Sequence, residues 1–393
     1  MPTVNDLTFN QISTVLNSLV AQANGSASMS AVTTADFTSI GTTAIKGGLD
    51  PMYNALAQVI GRTIFANRPY SRKFKGAEVT NQRWGYITRK ENIADNTFDD
   101  DDSYSLVDGQ SIDPWVVKKS KLIEEKFYGQ NIWSDHVTIP EPQLRSAFQN
   151  EADFRQLLDL VLTNMQDRME QATEDAARAG MCNLIGGILA GANTANQVVH
   201  LLSEYNTATG QTLTSQDIML GPVYADFMRW AYARMAAISD RMTERSVIYH
   251  TYLTGYTISK HTPIEDQRLY IYSPARHMIN SSVLATTFHD RYLEQPYTES
   301  VNFWQSIDTP DSINVTPAYL AADGSIATAG AAVSQSDVFA LLCDRDAWGI
   351  SLFDEAVTAS GLNCRARYYQ YYYFRNNRYW NSFLENSCVF LLD

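Results

Sequence analysis

Residues 150–180 read NEADFRQLLDLVLTNMQDRMEQATEDAARAG. Phe154, Leu157, Leu158, Val161, Leu162, Met165, Met169, Ala172 and Ala176 recur at three- and four-residue spacing, which lays them along one stripe of an α-helix. Gln156, Asp159, Asn164, Gln166, Asp167, Arg168, Gln171, Glu174, Asp175 and Arg178 take the other positions. Asn150 with Asp153 offers an N-cap and an acidic first turn, and Gly180 is the expected stop. Such a helix is about 45 Å long at 1.5 Å per residue. One apolar stripe on so long a rod needs cover from distant parts of the chain. The face carrying Phe154, Leu158, Leu162 and Met165 is therefore expected to pack on strands from the C-terminus.

Upstream of this spine the chain changes character twice. Residues 24–48 are rich in Ser, Thr, Ala and Gly and read as an arm with little to bury. A short helix is predicted over 51–65, with Pro51 in its first turn. Residues 68–128 predict a long hairpin-like excursion, with strands at 78–88 and 114–122. Its charge is divided. Arg68, Arg72, Lys73, Lys75, Arg83, Arg89 and Lys90 against Glu78 give +6 over 68–90. Glu91, Asp95, Asp99, Asp100, Asp101, Asp102, Asp108 and Asp113 give −8 over 91–113.

Downstream, Gly186, Gly187 and Gly191 predict a hinge. A second compact unit follows, with a strand over 198–204 and a helical pattern over 215–241 that Gly221-Pro222 must interrupt. A strand over 268–272 leads to a helix begun by Pro274. A Gly/Ala/Ser tract over 321–336 precedes strands at 339–343, 349–353, 363–374 and 387–392.

Composition narrows the function. With 45% hydrophobic and 19% charged residues, the 393-residue chain is globular and long enough for two or three domains. A net charge of −13 argues against a general nucleic-acid binder, which needs a basic face. Cys182, Cys343, Cys364 and Cys388 are scattered and read as reduced core thiols. No stretch predicts a signal peptide or membrane span.

The residues that carry chemistry elsewhere are not arranged for it here. There is no GxSxG, HExxH or GxxxxGK[ST], and the six histidines never fall at metal-ligand spacing. The run from Asp99 to Asp102 lacks the sixth-position glycine and closing glutamate of a calcium loop, so a solvated loop is the better reading. The aromatic run Tyr368-Tyr369-Gln370-Tyr371-Tyr372-Tyr373-Phe374 suits a strand packed on both faces better than a base-stacking platform. No catalytic residue, cofactor or metal is expected. A hydrolase using carboxylates near Glu124-Glu125 or the aspartate run is the rival from the enzyme class.

The order of parts resembles a tailed-bacteriophage major capsid protein of the Hong Kong 97-type fold. The wording is similar to the phi-29-like podophage group in two places. One is Leu144-Arg145-Ser146-Ala147-Phe148, leading through Asp153-Phe154 into the spine. The other is Val338-Phe339-Ala340-Leu341-Leu342-Cys343-Asp344-Arg345-Asp346-Ala347-Trp348, with Tyr371-Tyr372-Tyr373 and the closing segment 383–390. With the last strand ending near Asp393, the immunoglobulin-like domain that some relatives append is not expected.

The resemblance implies an α+β chain with an N-terminal arm and short helix (1–67) and an extended loop (68–130). It also implies a peripheral domain with the spine (131–196), an axial domain (197–337) and return strands of the peripheral domain (338–393). It implies self-assembly as pentamers and hexamers into an icosahedral shell around double-stranded DNA, with no sequence-specific DNA contact and no membrane. Portal and scaffolding proteins are the expected partners, the virion the location, and the host bacterial cytoplasm the place of assembly. Arg72, Lys73, Lys75, Arg83, Arg89, Lys90, Asp99, Asp100, Asp101 and Asp102 are then candidates for intersubunit contact. Another virion protein, a scaffold or a connector, is the nearer alternative. The strand-rich C-terminus suits neither.

Overall fold

The computed structural model describes residues 72–79, 88–96, 106–111, 113, 115, 117–127, 131–140, 151–221, 223–281 and 297–393. The expected arm, the helix at 51–65, Arg68, Arg83 and Asp99 to Asp102 lie outside the described residues, as do the side chains of Phe154, Leu158 and Leu162. In chain order the strands are β1 (Glu78–Val79), β2 (Thr88–Ala94), β3 (Lys121–Phe127), β4 (Asn131–Pro140) and β5 (Val198–His200). Next come β6 (Gln267–Tyr272), β7 (Tyr297–Val301), β8 (Ile313–Val315), β9 (Ala318–Leu320) and β10 (Ile326–Thr328). The last are β11 (Val333–Gln335), β12 (Val338–Asp344), β13 (Trp348–Ala359), β14 (Tyr368–Asn381) and β15 (Ser387–Leu391).

The spine is one helix, Glu151–Ala190, of 40 residues. It runs past the expected stop at Gly180 and through the expected hinge at Gly186 and Gly187. The reason is close approach. A Cβ on Gly186 would lie 2.6 Å from Val315 Cγ2, and one on Gly187 would lie 2.5 Å from the Phe383 ring. Each glycine costs about 1 kcal/mol in a helix interior relative to alanine, a cost that close packing offsets. Gly187→Leu is therefore expected to destabilise the chain by about 1–3 kcal/mol, read as a lower denaturation midpoint.

Two compact units emerge from the contacts. Of the described residues, those within 1–85, 129–176 and 351–378 make up the first, and those within 86–128, 177–350 and 379–393 the second. In the first, β14 pairs with β4 over ten residues, from Tyr368↔Pro140 to Asn377↔Asn131, within the sheet β1-β13-β14-β4. Strand alternation buries Tyr369, Tyr371, Tyr373 and Arg375 on one face. Tyr372 on the other face stacks on His136 and Phe374. The aromatic run is thus packing.

Arg375 reaches the spine, donating to Thr173 Oγ1 at 2.7 Å and pairing with Glu170 at 3.0 Å. Met165 and Met169 are buried as expected. Gln166, Glu174 and Arg178, placed by the sequence on the polar face, are buried as well, as is Glu170. Glu170 is held by ion pairs to Arg72 and Arg375. Burial pushes its pKa up, but the hydrogen bond and charge of Arg72, then of Arg375, outweigh this and hold it below the usual value.

In the second unit, a sheet of order β5-β15-β12-β6-β7 has β12 at its centre, antiparallel to β15 and β6. The run Val338 to Cys343 is buried throughout, which is why it reads as continuously apolar rather than alternating. The helix Tyr224–Thr243 lays Phe227, Ala231, Met235, Ile238 and Met242 on the core with Phe339, Leu342 and Phe390. It is separated from Ser215–Leu220 at Gly221, as the Gly-Pro pair predicts. The stretch 198–204 gives only the short β5 before the helix Leu201–Thr209. The strands expected to return to the spine as one group are divided. Those at 338–344 and 387–391 belong to the second unit, while most of the last-sheet hairpin belongs to the first. Cys182, Cys343 and Cys388 are buried, with burial pushing the Cys182 thiol up to about 12, but Cys364 is exposed on a turn.

Candidate functional site

The extended hairpin pairs β2 with β3 antiparallel, from Thr88↔Phe127 to Ala94↔Lys121. Of the strand predicted over 78–88, Glu78, Val79 and Thr88 are strand and 80–87 lie outside the described residues, while of that over 114–122 Lys121 and Leu122 are strand. The inward side of the hairpin is polar: Asn92 and Ala94 are buried, while Ile93 faces out. Asn92 Oδ1 accepts from Lys260 Nζ at 2.6 Å, a partner 168 residues away. Lys260 also pairs with Glu385 Oε1 at 2.8 Å, and Lys90 reaches the same oxygen at 2.7 Å.

The outer side carries Arg89, Glu91, Ile93, Leu122, Glu124 and Lys126. Ile93 lies opposite Leu122, and both are exposed. Further out, a turn closed by Gln110 N to Val107 O at 2.9 Å has Gly109 at φ 88°, a conformation that favours glycine. Around it the large apolar residues are bare: Leu106, Val107, Trp115 at 83% exposure and Val117 at 76%. Among the described residues of 93–122, six large apolar side chains are open to water. Sequence reasoning, drawn to the charges, missed them. The available signal was a set of large apolar residues, Leu106, Val107, Trp115 and Val117, in and just after the acidic segment.

The predicted contact residues separate. Arg72, expected between subunits, is instead 4% exposed inside its own chain, bound to Glu78 and Glu170. In the subunit its guanidinium is taken up by the buried Glu170 and the half-buried Glu78. Lys73 donates its backbone N–H to Glu174 at 3.2 Å, and the Lys75 side chain is exposed. Lys90 is engaged at the hairpin root with Glu385 and the Asp346 carbonyl. Arg89 stays on the outer face, 3.3 Å from Glu124.

Of the two places named for a carboxylate site, the aspartate run lies outside the described residues and Glu124-Glu125 is on β3. Glu124 and Glu125 are successive strand residues and point to opposite faces. Glu124 is tied to Arg89 and Lys126. Burial raises the pKa of Glu125, which accepts from Ser382 Oγ at 2.8 Å beside a cleft of about 380 Å³ lined by Phe127, Leu320, Trp380 and Phe383. Glu124 borders the same cleft, with its carboxylate taken up by Arg89 and Lys126. Among the described residues no group of His, Cys, Asp and Glu is placed to hold a metal, and no helix is long and apolar enough to cross a membrane.

The fold has solved counterparts. The capsid structure of Staphylococcus phage Andhra is similar with a TM-score of 0.53 and 11% identity over 82% of this chain and 84% of that one. A chain in the structure of head fiber and inner core protein gp22 of native bacteriophage P68 is similar with a TM-score of 0.54 and 11% identity, over 82% and 85%. The mixed helix-and-strand fold is that of phage capsid proteins of the Hong Kong 97 type. Residues 12–391 match the model of the Phi29-like phage major capsid protein family, and the chain belongs to that family. It is a major capsid protein, a structural component of the phage virion that associates with copies of itself in the shell. No curated protein matches the sequence.

Proposed function

We propose that the chain assembles as pentamers and hexamers into a closed icosahedral shell around double-stranded DNA, and that the outer side of its extended hairpin is a principal contact between subunits. The observation that carries this reading is the set of exposed apolar side chains over 93–122, above all Trp115 and Val117. Such side chains are costly in water and gain when a neighbour covers them. Outside the arm and the extended loop, the peripheral role falls on the first compact unit and the axial role on the second. This draws their boundaries differently from 131–196, 197–337 and 338–393. Residues 1–67 act as the arm and 68–130 as the extended loop. The −13 charge suits an interior that packs DNA without holding it. Assembly takes place in the host bacterial cytoplasm, with a portal at one vertex and a scaffolding protein as a further partner. Electron microscopy of the purified protein tests the reading. Closed shells or capsomer sheets support it, and a monomer that assembles under no buffer condition or phage partner contradicts it.

The aspartates give a separate prediction. Changing Asp99, Asp100, Asp101 and Asp102 together to lysine is expected to impair assembly most at low salt. The defect should be partly masked at high salt, because screening acts over about 10 Å at 0.1 M. Light scattering against ionic strength reads it. Assembly unchanged at every salt would leave these residues as solubilisers only.

A further inference from the structure

The hairpin meets its own subunit through the Phe127–Trp380 ring contact, at 5.6 Å between centroids, and through a series of directional polar contacts. Lys90 Nζ pairs with Glu385 Oε1 at 2.7 Å and donates to the Asp346 carbonyl at 2.9 Å. Lys260 Nζ pairs with the same carboxylate oxygen at 2.8 Å and donates to Asn92 Oδ1 at 2.6 Å. Glu125 accepts from Ser382 Oγ on the same inward side. At the outer end of β2, Asp95 N donates to the Thr257 carbonyl at 2.7 Å, and the Asp95 carboxylate takes Ser259 N at 3.1 Å and the Arg245 guanidinium. Opposite it, Lys121 Nζ donates to the Gly255 carbonyl at 3.3 Å and lies over the Tyr256 ring.

Apolar contacts tolerate sliding, whereas charge-assisted hydrogen bonds are lost on small rotations. A root built this way fixes an angle. Glu385 is the point on which it converges, since one buried carboxylate oxygen joins a lysine of the hairpin to a lysine of the body.

We propose that Glu385 is the positioning residue of the extended hairpin, a two-lysine latch that sets the direction in which Trp115 and Val117 are offered to a second copy. The offering to a second copy rests on the proposed function, whereas the latch itself can be read in the unassembled subunit. Without the carboxylate, Lys90 and Lys260 are left as like charges in a half-buried place, and the hairpin is released while the sheet around β12 stays intact.

Amide hydrogen exchange on full-length unassembled protein tests this, with electron microscopy of assembled product as a second readout. Glu385→Gln is expected to speed exchange over β2 and β3 by about ten-fold or more and to leave β12 and β15 unchanged. Lys90→Met should speed the same amides. The double variant should be no worse than Glu385→Gln alone, a non-additivity that residues with merely independent structural roles do not give. Shells from Glu385→Gln should be fewer or malformed although Trp115 is intact. Unchanged exchange over β2 and β3, or additive losses, would overturn the latch. If Glu385→Gln also opens β12 and β15, Lys90→Met decides, and unchanged hairpin exchange in that variant overturns the proposal. Shells absent even from the unaltered protein would count against the proposed function and leave the exchange result to judge the latch.

Discussion

Glu170→Ala is expected to destabilise the folded chain by about 3–5 kcal/mol, the cost of leaving a buried ion pair with one partner missing. Glu170 is 3% exposed and is shared by Arg72 and Arg375, both at 4% or less. Glu78 and Glu355 hold the outer sides of these arginines, at 2.7 Å and 2.9 Å, but neither can take the position between them. Since domains are stable by only about 5–15 kcal/mol, the loss should be plain in a denaturation midpoint and in yield. The sign of the pH effect follows from the lowered pKa of Glu170. Its contribution is fully present above the ordinary value of 4.5 and is lost as pH falls from there through the lowered folded value. Glu170→Gln should flatten that part of the acid limb. An unchanged midpoint for Glu170→Ala would show that water or a shifted neighbour satisfies both arginines.

Changing Trp115 and Val117 together to serine is expected to abolish or nearly abolish shells while moving subunit stability by no more than about 0.5 kcal/mol. Both side chains lie open to water, so the folded subunit has nothing to lose with them. In a shell each gains burial worth roughly 1.5–3 kcal/mol, repeated at every subunit. Hot spots of this kind centre on aromatic residues. Sedimentation separates shells from subunits, and a denaturation curve on the same preparation checks the fold. Normal shells from the double variant would remove the hairpin from the assembly contact.

The sequence made the long elements legible and the polar core illegible. The spine, the helix over 224–243 and the terminal strands could be read because their apolar residues repeat at the period of the element, or run unbroken where both faces are buried. The strand β2 was not read from the sequence, because it turns Asn92 inward and Ile93 outward, the reverse of what apolar alternation suggests. Only a lysine far along the chain makes that arrangement favourable. In the same way Gln166, Glu174 and Arg178 looked like a solvated face, and nothing local announces that Arg72 and Arg375 reach Glu170 from both sides of the helix in sequence. Gly186 and Gly187 read as a hinge because local rules see flexibility, not the Val315 and Phe383 side chains that occupy the space. Charge separation drew the eye to the aspartates, while the bare tryptophan beside them carried the stronger physical signal.

The most direct measurement is a high-resolution electron-microscopy map of the assembled shell, read at the outer side of the hairpin. The account predicts Trp115 and Val117 buried against a neighbouring copy, with Lys90 and Lys260 still joined through Glu385 on their own subunit. A map in which Trp115 and Val117 remain in solvent, with the hairpin touching no other copy, would contradict it.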